Sequence, residues 1–572
     1  MKRSHLPAVV ALVVFTLTFY WRVTRTLGTD KWPSNLQDGA SFAWDLWYFS
    51  KQVTHFHDPF STQDLFYPVG APLGFHTYVP LISLLAWPFV QLFGLPTAYT
   101  LMTLLGPLLS AIGAYFLAYH LTKSRWASFY AGAAYAALPD QAYRMVGHLN
   151  LNQTWVLPFA LLALFRFYER PRRRTIVELG VALGVSLWVE AIFTSFLVLA
   201  VAVVACCSLR TTCTKAMLLN WLKAGGIALF TASPIVLAML RDIKNGHLDP
   251  IPGWGEANHT NADLFSYVLP SHFNPVTGSW FAGAQINHAV GERFAFIGWT
   301  VLALAAISLF VWRSPWKKTI NVMTATFFVL SLGPFLVVLG TQGSYFGYLN
   351  ERFNIPLPYF LIHFVPVLNG VRIPARFEFM TNLLIIVMAA GALSVGMKHR
   401  PRWAPAVAMA AVALMTVESL PGRVPPMTST AIPTPYTAVK NDPGHGAVLE
   451  IPMQWRDGFG SIGDGNGSKD DTVFLYYATH HGKPLVNGMV ARYPDKSEAA
   501  LQRIPIYSQV LTLQHDADPQ PITFNVKDLQ RLGIGYVVAH RDRPQPDAFA
   551  YMQDLHMSVL ADDGNTIVWK VA

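Results

Sequence analysis

Apolar runs of about 14 to 25 residues recur up to about residue 420 of this 572-residue chain, and many of them are long enough for a helix to cross a bilayer. Eleven such runs predict eleven transmembrane helices. They lie at about residues 6–20, 97–121, 126–139, 153–168, 176–189, 191–209, 217–239, 294–312, 319–340, 378–396 and 403–419. Two further apolar stretches, 79–95 and 357–369, are interrupted by prolines and are predicted to be interfacial or re-entrant.

Basic residues between the runs predict the orientation of the chain. With the two interrupted stretches excluded, the basic loops fall on the same side as the N-terminus, which the positive-inside rule makes the inner side. These loops hold Lys123 and Arg125, Arg170 and Arg172–Arg174, Arg210 and Lys215, Arg313, Lys317 and Lys318, and Lys398, Arg400 and Arg402. The predicted topology is N-in and C-out, with long outer segments at about 28–78, 241–293 and 341–377.

The chain changes character near residue 420. Residues 420–572 hold 13 Lys/Arg and 16 Asp/Glu, whereas residues 1–419 hold 29 and 17, so the net charges are −3 and +12. This contrast predicts a transmembrane domain at 1–419 and a soluble extracytoplasmic domain at 420–572. Local patterns in the second domain indicate a small α/β fold, with strands at 447–451 and 533–540, a helix near 472–479 and a hairpin at Asp563-Gly564.

Composition narrows the class of protein. The chain is 52% hydrophobic and only 13% charged, which is typical of an integral membrane protein and excludes a disordered chain, a coiled coil and an ordinary soluble enzyme. The net charge of +9 lies mostly in the short inner loops, so it indicates orientation and no nucleic-acid partner. The three cysteines lie within residues 206–213 with no histidine beside them, and we expect them to be packing residues.

The first outer segment holds two carboxylates in an aromatic-rich stretch. Asp38 and Asp45 are seven residues apart, about two helical turns, so a helix would place them on one face. Either could serve as a general base at the membrane surface. The alternative is an interfacial helix whose aspartates are solvated or act as caps.

Polar groups also crowd the short outer turn after the third run. It holds Arg144, His148, Asn150 and Asn152 beside Asp140, and Arg144 is a candidate ligand for a phosphate. Helix capping by Asp140 and the ordinary polarity of a turn are the alternative.

Three further groups of polar residues stand out. Arg372 and Arg376, just before a predicted span, are candidate phosphate ligands. The alternatives are that their side chains snorkel to the membrane surface or that Arg376 forms a salt bridge with Glu378. Glu190 is expected in the outer turn between two spans, and burial in the bundle would instead indicate a functional residue. In the soluble domain, an acceptor-facing loop or a structural turn would hold His480, His481 and Lys483. No HExxH or CxxC spacing supports a metal site.

One N-in span, a long outer loop with an early aspartate, a proline-interrupted amphipathic stretch, many further spans and an outer C-terminal domain together resemble the GT-C superfamily. These are polytopic glycosyltransferases that use polyprenyl-phosphate-linked or polyprenyl-diphosphate-linked sugars. Locally, Asp38-Gly39-Ala40-Ser41-Phe42-Ala43 is similar to the start of the first outer loop in the catalytic subunits of bacterial oligosaccharyltransferases.

Two departures separate the chain from that branch. Those subunits carry an Asp-x-Asp pair after a glycine in the second outer turn, where this chain reads Gly147-His148-Leu149-Asn150-Leu151-Asn152. Hard divalent cations prefer carboxylates, so the amides argue against a metal cofactor. The Trp-Trp-Asp acceptor motif of that branch is not found in the C-terminal domain, and the resemblance therefore extends to the superfamily only.

The resemblance implies an inverting sugar transfer by a multi-pass protein at the periplasmic face of a bacterial inner membrane. Asp38 would deprotonate the acceptor, with Asp45 in reserve, and the donor phosphate would be bound by Arg144, His148, Arg372 and Arg376. The implied partners are a polyprenyl-phosphate-linked sugar, the lipid bilayer and an acceptor that is a protein, a glycolipid or a polysaccharide, without a cofactor. A lipid or glycan transporter and a non-catalytic envelope protein that binds glycans remain the alternatives.

Overall fold

The computed structural model describes residues 5–248, 255–281, 293, 295–340, 346–348, 351–362, 364–365, 371–458, 460–462, 472–514, 521–543 and 545–571. Parts of the outer segments predicted at 241–293 and 341–377, and of the interrupted stretch at 357–369, lie outside the described residues.

Helices make up most of the chain before Ser419 and alternate with short strands after it. The helices are α1 (Leu6–Phe19), α2 (Trp21–Thr24), α3 (Asp38–Thr54), α4 (Pro80–Phe93), α5 (Leu95–Thr122), α6 (Arg125–Ala136), α7 (Pro139–Arg144), α8 (Val156–Glu169), α9 (Arg173–Val189), α10 (Ala191–Cys207), α11 (Leu209–Thr212), α12 (Lys215–Lys244), α13 (Gly255–His259), α14 (Trp299–Val311), α15 (Lys317–Ser331), α16 (Tyr359–Ile362), α17 (Glu378–His399), α18 (Ala404–Glu418), α19 (Pro435–Asn441), α20 (Val473–His481), α21 (Asp495–Gln502), α22 (Pro505–Gln514), α23 (Val526–Arg531) and α24 (Pro546–Asp554).

The strands are short, and most belong to the last third of the chain. They are β1 (Lys31–Trp32), β2 (Ser61–Thr62), β3 (Ala71–Pro72), β4 (Phe346–Tyr348), β5 (Glu351–Phe353), β6 (Thr428–Ser429), β7 (Ala447–Ile451), β8 (Trp455–Arg456), β9 (Ser461–Ile462), β10 (Gly488–Met489), β11 (Ile534–His540), β12 (Ser558–Asp562) and β13 (Thr566–Lys570).

Each of the eleven predicted runs contains a helix, although many of these helices are shorter than the run that predicts them. Within the described residues, three helices are long and apolar enough to cross a membrane, namely Leu95–Thr122, Lys215–Lys244 and Pro374–His399. The other apolar helices are shorter, and α6 ends after 12 residues, shortly before Pro139. The count of eleven crossings stays a prediction.

The chain divides into two compact units. The first comprises Met1–Arg25, Leu101–Ser233 and Ile251–Pro426, and the second comprises Thr26–Thr100, Pro234–Pro250 and Met427–Ala572. This division differs from the predicted one at residues 419 and 420. Its physical reason is that the first outer segment and the end of α12 pack with the C-terminal residues into one unit.

In the first unit, α17 is the central helix, and nearly every side chain from Glu378 to Ser394 is buried. It packs against α6, α14 and α15. Helix α6 is rich in small residues, and a Cβ at Gly132 would lie 2.7 Å from the backbone oxygen of Ala111 and 2.9 Å from Leu12 Cδ1. Small residues on α6 therefore let neighbouring helices approach closely, as in other helical membrane proteins.

In the second unit, a four-stranded sheet has the order β12-β13-β11-β7. Strands β7 and β11 are parallel, and the other neighbours are antiparallel. The predicted strands at 447–451 and 533–540 and the hairpin at Asp563-Gly564 are confirmed, and α20 confirms the predicted helix near 472–479.

Main-chain hydrogen bonds join the first outer segment to the C-terminal residues. Strand β1 pairs with β6, so that Trp32 lies opposite Thr428. The N–H of Tyr67 donates to the carbonyl of Leu485 at 2.9 Å, and the N–H of Leu485 donates to the carbonyl of Asp64 at 2.9 Å. Residues far apart in sequence thus form the second unit together, whereas composition follows only the order of residues along the chain.

Candidate functional site

Asp38 is the first residue of α3, and its side chain is half-buried. The side-chain oxygen of Asn35 accepts hydrogen bonds from the backbone N–H groups of Gln37 at 3.1 Å and Gly39 at 3.4 Å, so Asn35 caps the first turn. Gly39 packs so closely that a Cβ there would lie 1.9 Å from Ser34 Oγ. The carboxylate thus lies at a well-anchored helix start, whose dipole favours a negative charge.

Residues from the end of the chain hold this helix start in place. Thr472 Oγ1 donates a hydrogen bond to the carbonyl of Gln37 at 2.6 Å, across 435 residues of sequence. Trp32 is fully buried between the rings of Tyr99 and Tyr476, with centroid distances of 5.0 and 4.7 Å. Helix α20 packs along α3. The position of Asp38 therefore depends on the tertiary structure of the second unit.

Asp45, two turns further along α3, is completely buried. Its Oδ1 lies 3.2 Å from His76 Nε2, while His76 Nδ1 accepts the backbone N–H of Ala491 at 2.8 Å. Because a backbone N–H can only donate, His76 is neutral and donates its Nε2 proton to Asp45. Burial raises the pKa of the Asp45 carboxyl above its usual value. The two aspartates thus share one helix but differ in their access to an acceptor.

Arg144 ends α7, and its guanidinium is fully buried. Its Nε lies 3.0 Å from Oδ1 of Asp140, and its Nη2 lies 3.6 Å from Oε1 of Glu378 at the start of α17. The rings of Tyr143 and Phe379 flank it, with centroids 5.4 and 5.3 Å away. Asp140 does not cap a helix, because α7 has no side-chain cap and Asp140 pairs with Arg144. The ion pairs connect α7 to α17.

Asn152 uses both ends of its amide to fix the turn before α8. Its Nδ2 donates to the carbonyl of Thr103 at 2.7 Å, and its Oδ1 accepts from Gln141 Nε2. Gln141 Nε2 also donates to the Asn152 carbonyl at 2.7 Å. A Cβ at Gly106 would lie 2.4 Å from that carbonyl, so α5 needs a glycine where the turn approaches it. Asn152 therefore has a structural role, because its hydrogen bonds hold the turn against α5 and α7.

We expect Asn152→Asp to lower the free energy of unfolding by about 1–3 kcal/mol, because a carboxylate cannot donate and would face the Thr103 carbonyl in a buried place. Thermal unfolding in detergent measures the effect. The matched control is Asn441→Asp, the same chemical change at an exposed position. Equal unfolding temperatures for the two variants would contradict the assignment.

Asn150 forms a hydrogen bond with the carboxylate of Glu190. Its Nδ2 donates to Glu190, whose other oxygen accepts the N–H of Ile192 at 3.1 Å and so caps α10. Glu190 lies between two helices, as predicted, and its side chain is buried. Because the amides of Asn150 and Asn152 both donate to oxygens, this turn does not fit a divalent cation held by an Asp-x-Asp pair. In the described part of the chain, no three His, Cys, Asp or Glu side chains are grouped as metal ligands.

The remaining predicted phosphate ligands lie in the first unit as well. His148 is half-buried, with its ring centroid 6.4 Å from that of Tyr143. Arg372 and Arg376 are half-buried just before α17, in a segment fixed by Thr260, whose Oγ1 donates to the Arg372 carbonyl at 3.3 Å. The Arg144–Glu378 pair brings the second outer turn to the start of α17, two residues after Arg376.

The polar cluster at the end of α20 consists of structural contacts in the second unit. His481 is buried, its Nδ1 accepts the backbone N–H of Lys483 at 3.1 Å, and burial lowers its pKa to about 3. Lys483 Nζ donates to the carbonyl of Asp442 at 3.0 Å. His480 Nε2 lies 3.2 Å from Thr437 Oγ1. These contacts favour the structural turn over the acceptor-facing loop.

The sequence analysis did not predict two of the interactions at the candidate site residues. The pairing of Asp140 with Arg144 has a local signal, since the two residues are four apart on one helix. His76 has none, because it lies 31 residues from Asp45 and is brought there by the packing of the second unit.

Comparisons with known proteins bear on the fold. The family model described as "Domain of unknown function (DUF6311)" matches residues 8–418. The structure is similar to the arabinofuranosyltransferase AftD from Mycobacteria, with a TM-score of 0.59 and 13% identity over 100% of this chain. This chain covers 40% of the AftD chain. A search of curated proteins finds no significant match.

Two other solved structures are similar at comparable identity. The oligosaccharyltransferase from Archaeoglobus fulgidus, in complex with Zn and sulfate, has a TM-score of 0.50 and 12% identity over 93% of this chain and 68% of its own. ArnT from Cupriavidus metallidurans, bound to undecaprenyl phosphate, has a TM-score of 0.49 and 12% identity over 99% of this chain and 98% of its own. Identities this low concern the fold alone. The chain belongs to the DUF6311 family, and its fold is that of the GT-C superfamily.

Proposed function

We propose that this protein is a membrane glycosyltransferase that moves a sugar from a polyprenyl-phosphate-linked donor to an acceptor on the periplasmic face of the inner membrane. The observation that carries the proposal is the likeness of the whole chain to AftD, an arabinofuranosyltransferase. The second support is a half-buried aspartate at the anchored start of α3, in the first outer segment.

Asp38 is the better candidate for the general base than Asp45. A general base must come within hydrogen-bond reach of the proton that it abstracts. Asp38 is partly exposed, whereas Asp45 is completely buried and accepts a hydrogen bond from His76. We therefore assign the base to Asp38 and a structural role to Asp45.

The proposed reaction is a single inverting displacement. Asp38 accepts the proton of the acceptor hydroxyl, whose oxygen forms a bond to the anomeric carbon as the bond from that carbon to the phosphate oxygen breaks. The phosphate leaves with the electron pair, so no strong general acid is needed. Cationic groups that stabilise the developing charge supply the rest of the catalysis.

The candidate ligands for the phosphate differ in their surroundings. Arg372 and Arg376 are half-buried in the segment before α17, and His148 is half-buried in the second outer turn. Arg144 is fully buried between Asp140 and Glu378. We therefore assign phosphate binding to Arg372 and Arg376, with His148 as a third ligand, and give Arg144 the role of holding the turn against α17.

The proposal is tested by transfer of label from a panel of synthetic polyprenyl-phosphate sugars to hydroxyl acceptors, with the purified protein in detergent or nanodiscs. We expect turnover or slow donor hydrolysis with at least one donor, and a product of inverted anomeric configuration. Binding of the lipids without turnover of any donor would favour a transporter or a glycan-binding protein instead.

We expect the same turnover with and without EDTA. The amides of Asn150 and Asn152 donate to oxygens, so the second outer turn offers no carboxylate pair to a divalent cation. Initial rates before and after chelation measure this. A rate that EDTA abolishes and Mg²⁺ or Mn²⁺ restores would contradict it, and would leave the transferase assignment intact.

A further inference from the structure

Three arginines gather at the outer end of α1 in the first unit. Arg22 and Arg25 follow α1, and Arg423 lies in the segment after α18. Arg22 Nη1 donates to the carbonyl of Gly422 at 3.1 Å, and the guanidinium of Arg25 lies 4.9 Å from the ring centroid of Trp21. Among the described residues, no carboxylate forms an ion pair with any of the three arginines.

The positive charges of this arginine cluster repel one another. Burial, followed by the charges of Arg25 and Arg423, lowers the pKa of Arg22. The positive-inside rule gives no reason for cations here, because this is the predicted outer end of the first span. On the predicted inner side, by contrast, Arg174 Nε lies 2.8 Å from Oε1 of Glu178. The arginine cluster is therefore a set of uncompensated charges that suits an anion.

An apolar groove opens beside the arginine cluster. Its volume is about 540 Å³. Its apolar wall includes Phe15, Phe19 and Trp21 from the end of α1 and Leu420 and Val424 from the segment after α18, and Arg22 also lines it. A long apolar groove beside a cationic cluster has the amphipathic form of a lipid.

The groove continues the lipid-facing side of α1. Leu6, Val10 and Val14 recur at every fourth position, and their exposed fractions are 56%, 52% and 58%. Residues at this spacing share one face of a helix, and large apolar side chains so exposed face lipid in a membrane protein. Trp21 is 56% exposed at the end of the same face, as an aromatic residue at the level of the headgroups would be.

We infer that this groove binds an acidic glycerophospholipid of the outer leaflet, with the phosphate among Arg22, Arg25 and Arg423 and an acyl chain along α1. The chemistry of the three guanidinium groups requires an anion, and the apolar wall requires a hydrocarbon chain. The groove opens to the lipid-facing side of α1, so its occupant exchanges with the surrounding bilayer. Phospholipid is the anionic lipid of highest concentration there, which favours it over a scarce polyprenyl phosphate by mass action.

The test compares lipid retention after extraction from nanodiscs of equal parts phosphatidylglycerol and phosphatidylcholine, measured by native mass spectrometry. We expect the full-length protein to retain phosphatidylglycerol selectively. The double variant Arg25→Gln with Arg423→Gln should bind it about thirtyfold more weakly, since each basic residue near the membrane surface contributes about fivefold. Both side chains are exposed, so we expect the double variant to fold.

Two further variants make the outcome specific. Arg400→Gln with Arg402→Gln removes two exposed arginines that are not part of the arginine cluster and should retain phosphatidylglycerol as the wild type does. Thr18→Phe fills the groove without changing charge and should lose the lipid. Equal retention by both double variants, equal retention of the two phospholipids, or displacement of phosphatidylglycerol by stoichiometric undecaprenyl phosphate would each overturn the inference.

Discussion

An Asp38→Asn variant is expected to fold as the wild type does and to transfer sugar about 10²- to 10⁴-fold more slowly, which is the usual contribution of a general base. The amide is nearly the same size as the carboxylate, and asparagine is well tolerated where a helix begins, so the first turn of α3 should be preserved. It cannot accept the proton of the acceptor hydroxyl. The variant therefore separates chemistry from folding.

The matched control for this prediction is Asp45→Asn, the same change two turns further along α3. An amide oxygen at position 45 can still accept the proton that His76 donates through Nε2, and it removes a buried charge. We expect this variant to keep its rate within a few fold. Initial rates at saturating donor and thermal unfolding in detergent measure both properties. If Asp45→Asn is inactive and Asp38→Asn is active, the base is Asp45 and the structural assignment is wrong.

Replacing Arg144 by methionine is expected to lower the free energy of unfolding by about 3–5 kcal/mol, the cost of breaking a buried ion pair by removing one partner. The substitution keeps an apolar chain of similar length but leaves Asp140 and Glu378 without the guanidinium that lies 3.0 and 3.6 Å from them. Because these residues join α7 to the start of α17, the whole second outer turn should loosen. Loss of the folded fraction in thermal unfolding measures the effect.

Arg174→Met provides the control for Arg144→Met. Arg174 is 86% exposed and pairs with Glu178 on the surface, so its loss should cost at most about 1 kcal/mol. A stable Arg144→Met protein that binds the donor poorly would contradict the structural role and restore the sequence-based prediction that Arg144 contacts the phosphate.

In the second outer turn, the sequence and the structure give different information about whether a metal ion could bind. Carboxylates are absent at positions 150 and 152, and this alone argues against a hard cation. Only the structure gives the reason for the amides, since Asn152 must donate to Thr103 and Asn150 must donate to Glu190. Neither partner is near in sequence, so the requirement for a donor cannot be read from the local pattern.

The assignment of the candidate base also depends partly on the sequence and partly on the structure. Its spacing from Asp45 on one helix follows from the sequence, and α3 confirms the helix. The choice between the two aspartates depends on burial, because the partner of Asp45 is His76, and His76 is in turn held by the backbone of Ala491. Contacts across hundreds of residues leave no periodic signal.

The sequence by itself determined the apolar helices of the first unit, the strands β7 and β11, the final hairpin and the resemblance to the GT-C superfamily, because hydrophobic periodicity and apolar length are local properties. The tertiary structure alone decided that Thr26–Thr100 folds with Met427–Ala572, that Arg144 is held by two carboxylates, and that Arg423 lies close enough to Arg22 to influence its charge. The physical reason is that burial and charge pairing depend on distance in space, which the order of residues does not reveal.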